Sequence, residues 1–97
     1  MDPEELSQYV DDLVMKKFPY SKEEKIQEKC ADILAKYNSL DDKALFDLAY
    51  EYKFHERLVY KKEKCLEFDG AIIAKIREAN PGFMESFESI KQYFVKS

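Results

Sequence analysis

The sequence predicts an all-α protein, a small bundle of four helices or five, and three features carry that prediction. Two Gly and three Pro in 97 residues are too few breakers for the many turns of a sheet-rich domain. Apolar residues recur at intervals of three and four along most of the chain, the period of a helix face. The breakers that exist stand beside helix-capping residues.

The first predicted helix opens on Asp2 as N-cap, with Pro3 at its first position and early carboxylates suited to the positive end of the helix dipole. Leu6, Tyr9, Val10, Leu13 and Val14 form its apolar face, and Pro19 stops it near Phe18, after Lys16 and Lys17. Ser21 and Glu24 make a capping box for a second helix with the stripe Ile26, Cys30, Ile33, Leu34 and Tyr37. Asn38 is expected to end it in a left-handed conformation. Ser39 and Asp42 then cap a third helix that starts near Leu40.

From there to Asn80 one dipeptide, Asp69-Gly70, interrupts the helix formers. Asp-Gly between apolar segments is also a hairpin signal, with 65–68 on one side and 71–74 on the other. The stripe Tyr50, Phe54, Leu58, Cys65, Phe68, Ile72, Ile76 and Ala79 nevertheless keeps helical period through it. A lone interior Gly costs about 1 kcal/mol, so a helix through Gly70 is favoured. Asn80-Pro81 opens a final helix with an aromatic face of Phe83, Phe87, Ile90, Tyr93 and Phe94.

Residues 40–79 carry a second stripe, Leu45, Leu48, Ala49, Tyr52 and Val59, nearly opposite the first. Two arrangements produce such a pattern. The chain turns between Lys53 and Lys62 and each half buries one face, or a single rod of about 60 Å has its two sides covered by different neighbours. No Gly or Pro marks a turn, so the pattern leans toward the long helix and an intermolecular contact.

Composition narrows the function. One domain, 1–97, is expected, with 45% hydrophobic residues to build a core and 37% charged residues around it. Cys30 and Cys65 are too few for a disulfide framework and read as small buried hydrophobes in a reducing compartment. The acidic start Met1-Asp2-Pro3-Glu4-Glu5 has no targeting character, and no apolar run nears the ~18 residues of a membrane span, so a soluble cytoplasmic protein without a membrane partner is expected. A net charge of −4 argues against a nucleic-acid partner. Lys61, Lys62 and Lys64, broken by Glu63, read as a solvated face.

No chemistry-bearing constellation emerges. His55 is the single histidine and is expected to be partly buried beside a neighbour. Cys30, His55 and Cys65 lack zinc-ligand spacing. The carboxylates of Asp11, Asp12, Glu51 and Glu56 fall away from the apolar stripes, where nothing shifts their pKa. The expectation is therefore a non-enzyme with no catalytic, cofactor or metal residues. Its function is expected to be protein interaction as a subunit or adaptor, with another protein or a second copy as partner. The expected interface is Tyr50, Phe54, Leu58, Phe68, Ile72 and Ile76. The alternative is a small acidic inhibitor, with Glu4, Glu5, Asp11 and Asp12 covering a basic site on a toxin or nucleic-acid enzyme.

Overall fold

The computed structural model describes residues 2–17, 23–61 and 63–96. They form α1 (Pro3–Asp12), a π-helical turn (Leu13–Lys17), α2 (Glu23–Asn38), α3 (Lys43–Lys61), α4 (Glu63–Ile76) and α5 (Phe87–Lys96), with no strand among them. The most extensive contacts join α1 to α3 and α2 to α4, and α3 also packs on α4.

Asp2 caps α1, its Oδ1 accepting from the Glu4 N–H at 2.8 Å. Leu6, Val10, Leu13 and Val14 are buried and Tyr9 packs at the core's edge, as the periodicity required. The helix loses α geometry after Asp12 rather than running unchanged to Phe18. Phe18, Pro19 and Ser21, with the expected stop and capping box, lie outside the described residues.

In α2, Cys30, Ile33 and Tyr37 are buried and Ile26 packs against them. Burial pushes the Cys30 thiol up to about 11. The side chain of Cys65 lies outside the described set. The helix ends at Asn38, but not by a left-handed turn there, since Met84 is the one non-Gly residue with positive φ among those described. Its last carbonyls are instead met locally. The Ser39 N–H and Oγ both donate to Lys36 O, and the Leu40 N–H donates to Tyr37 O. Ser39 therefore serves the end of α2. Asp42 alone opens α3, which begins at Lys43 and not near Leu40, through its Oδ1 accepting from the Leu45 N–H at 3.0 Å.

The continuous rod from 40 to 79 is overturned. Arg57 and Asp69, twelve positions apart, would be separated by about 18 Å along one helix. Arg57 Nη2 instead donates to Asp69 Oδ1 at 2.6 Å, so the chain reverses between α3 and α4. The molecule's longest dimension is 38 Å. The helix does pass through Gly70. A Cβ there would meet the Phe87 ring at 3.2 Å, so glycine permits the close approach of α5 to α4.

The final helix starts at Phe87, six residues later than Asn80-Pro81 suggested. Residues 81–86 make turns, with the Phe83 N–H donating to Asn80 O and the Phe87 N–H to Met84 O. Met84 has φ 52, which a helix cannot accommodate. The Arg77 guanidinium donates to Phe83 O at 2.9 Å and Met84 O at 2.7 Å, pinning the loop from the end of α4. This sends Phe83 inward, where it joins Tyr37, Phe46 and Tyr50 with ring centroids 5.2–6.2 Å apart. Each such pair adds about 0.5–1.5 kcal/mol beyond area burial. Phe87 is buried and Ile90 half-buried, while Tyr93 is exposed; the Phe94 side chain is outside the described set.

At the centre lies Arg57, 1% exposed. Its Nε and Nη2 donate to the two Asp69 oxygens at 2.9 and 2.6 Å, and its Nη1 donates to Asp11 Oδ1 at 2.8 Å. The Tyr50 hydroxyl donates to the same Asp69 carboxylate, and the Arg57 guanidinium lies 5.2 Å from the centre of the Tyr50 ring. Burial works against the guanidinium's charge, but the Asp69 charge and hydrogen bonds outweigh it and hold Arg57 protonated. Asp11 thus turns inward to a buried cation, a correction to its expected outward position.

Removing one member of a buried ion pair strands the other, a loss of about 3–5 kcal/mol. Asp69→Ala should lower unfolding free energy in urea by that amount. Arg57→Met combined with Asp69→Leu should cost well below the sum of the single losses; additive losses would show that the pair is not coupled. Gly70→Ala tests the α4–α5 approach. In a Phe87→Leu background it should stabilise by about 1 kcal/mol relative to Phe87→Leu alone, and less than that in the wild type, where the ring must first move.

Candidate functional site

α3 has two apolar faces, and the structure treats them oppositely. Tyr50, Phe54 and Leu58 on α3, with Phe68, Ile72 and Ile76 on α4, are all buried. These six were the interface expected from the sequence, and they form the protein's own core instead. The physical reason is the turn between α3 and α4, which folds one long stripe against itself. Tyr50 and Phe54 also meet the incoming aromatic rings Phe83 and Phe87.

The opposite stripe stays outside. Leu48 is 67% exposed, Tyr52 68%, Val59 75% and Tyr60 75%, with Leu45 at 41% and Ala49 half-buried. Four large apolar or aromatic side chains so exposed on a single helix are unusual, because isolated exposed residues are ordinary but a row of them marks contact surface. From Leu45 to Tyr52 the stripe advances about 10.5 Å, and from Tyr52 to Val59 about as much again.

Furrows flank this ridge on both sides. One, of about 650 Å³, lies between α1 and α3 and is lined by Asp2, Glu4, Glu5, Ser7, Gln8, Leu45, Leu48, Ala49, Tyr52 and Lys53. The other, of about 560 Å³, lies between α3 and the 82–86 loop and includes Leu48, Asp47, Glu51, Met84 and Glu85. Leu48 borders both. Ser7, buried at the first furrow, has a hydroxyl with no hydrogen-bond partner among the described residues.

The rims are acidic. Glu4, Glu5, Glu51 and Glu85 are exposed, and Asp47 is half-buried. Burial raises the Asp47 carboxyl above its ordinary range, against an accepted hydrogen bond from Tyr37 that lowers it. Among the described residues the one cation on either furrow, Lys53, donates to Gln8 Oε1 at 3.1 Å. Among the described residues Glu4, Glu5 and Glu85 form no ion pair.

Elsewhere the polar groups are occupied in structural contacts. His55 is exposed rather than partly buried, with Nε2 3.8 Å from Glu51 Oε1. Asp12 accepts from Gln8, and Glu56 is exposed. Hydrogen bonds from Lys36 and Tyr9 hold the Asp32 carboxyl below its usual range, and burial together with Asp32 pushes the Tyr9 hydroxyl up to about 12. Among the described residues no group of three or more His, Cys, Asp or Glu is placed to hold a metal ion. No helix among them is long and apolar enough to cross a membrane. The side chains of Lys61, Lys62 and Lys64 lie outside the described set.

A signal for the inner face was present in the sequence. Arg57 falls seven residues after Tyr50, and Asp69 seven before Ile76, so each sits on its helix's apolar line. A lone cation on one apolar stripe and a lone carboxylate on the next are a complementary pair, which means that the stripes face each other.

Residues 2–92 match the family model of the cullin alpha solenoid domain. Searches among curated proteins and among solved structures find no match. The family match takes in the five described helices except the end of α5, agrees with an all-helical chain, and places this protein in the cullin family through its alpha solenoid domain.

Proposed function

We propose that this chain is a noncatalytic protein-binding module that docks another protein on the outer face of α3. The cullin alpha solenoid domain is a protein-interaction scaffold, which supports the coarse reading. The observation that carries the finer one is the exposed row Leu48, Tyr52, Val59 and Tyr60, left over after the opposite side of the same helix has completed the core. Solenoid units bury their remaining apolar faces against neighbours, so an unfilled row on one helix is where a second body seats. Tyr52 and Tyr60 suit such a contact because each combines large area with a hydroxyl that tolerates a wet rim. Self-association through the 50–79 stripe would require opening the core, so the docking role passes to the outer row.

The test is site-specific photocrosslinking in the cell that makes the protein. Photoreactive residues at Leu48 and Tyr52 should give protein adducts, whereas the same group at Glu28 and Lys91, exposed but off the face, should not. Leu45 carrying the crosslinker in a Leu48→Asp/Tyr52→Asp background should lose its adduct, while the unfolding free energy in urea stays within about 0.5 kcal/mol of wild type because both side chains are exposed. Equal labelling at Glu28 and Lys91, or none at Leu48 and Tyr52, would refute the reading.

A further inference from the structure

We propose that the partner seated on the outer face of α3 presents a basic amphipathic helix, whose apolar side covers Leu45, Leu48 and Tyr52 and whose lysines or arginines reach the acidic rims. The inference rests on the α3 face being the docking face, and it adds the chemistry of the occupant.

Shape selects a helix. The apolar contacts on α3 recur at Leu45, Leu48, Tyr52 and Val59, advancing about 4.5, 6 and 10.5 Å in turn. A helix with apolar residues at i, i+3 or i+4 and i+7 repeats those intervals, and helix surfaces pack by laying ridges into grooves. Here Leu48 is the ridge and a furrow lies on either side, so the occupant's side chains straddle it. An extended strand would need a sheet edge to pair with, and the described residues contain no strand.

Charge selects a basic helix. Among the described residues the first furrow carries Asp2, Glu4 and Glu5 against Lys53 alone, and the second carries Asp47, Glu51 and Glu85 with no cation. Glu4 and Glu5 are exposed and form no ion pair among the described residues, so their charge is available to an incoming cation, while the exposed Glu85 also lies in the field of Arg77. An acidic helix would meet like charge on both sides of its apolar contact, a repulsion that discriminates as strongly as any attraction.

A random helical peptide library displayed on phage tests this, selected on the whole chain with counter-selection on Leu48→Asp/Tyr52→Asp. The expected winners are rich in Lys and Arg around apolar residues at i, i+3 or i+4 and i+7. Their affinity should fall about tenfold or more between low salt and 1 M salt, and about tenfold in Glu4→Lys/Glu5→Lys/Glu85→Lys. Neutral or acidic winners that still require Leu48 and Tyr52 would overturn the basic occupant and leave the docking face standing. Winners that bind the counter-selected variant equally, or no winners, would overturn both.

Discussion

The fold turns on a buried guanidinium. Arg57 contacts Asp11 on α1 and Asp69 on α4 from its own place on α3, and Tyr50 completes the Asp69 site. Burying charge is not in itself a source of stability, since well-packed hydrophobic residues serve as well or better. What such a group supplies is uniqueness of register. An apolar stripe can slide by a turn against another with little loss, but a bidentate Arg–Asp contact in a buried core has one geometry. Three of the five helices are thereby fixed relative to one another at one point.

Around that point the aromatic rings distribute the rest of the packing. Phe83 enters from a loop, not from a helix, because Arg77 grips the loop's carbonyls and Met84 adopts a left-handed backbone. Phe87 then rests over Gly70. Two residue choices, an arginine at the end of α4 and a glycine in its middle, set how α5 closes the bundle.

Much of the fold was legible before coordinates. The helical class, the Asp2 cap, the α1 and α2 stripes and the continuity through Gly70 all follow from period and local chemistry. The misreadings share a cause. Periodicity reveals that α3 has two apolar sides but not which neighbour covers which, and no Gly or Pro near the end of α3 announces that α4 folds back on it. Only the paired polar residues Arg57 and Asp69, each misplaced on an apolar line, carried the non-local information that the two stripes meet. The start of α5 was displaced for a similar reason, since the carbonyl clamp from Arg77 is a tertiary contact that outweighs the local Asn80-Pro81 signal. The outer face of α3 was legible as a row of residues and illegible as a surface, because exposure depends on the whole chain.

α3 also keeps its two apolar sides apart. Its inner row is buried beside Arg57 and the aromatic cluster, while its outer row is exposed. Sequence drift at Leu48, Tyr52, Val59 and Tyr60, each more than half exposed, should therefore carry little toll on folding, and under the proposed docking role it would retune which partner is accepted. Duplicated copies of such a unit could diverge in recognition while preserving one scaffold, the evolutionary freedom that a helix with only one apolar side lacks.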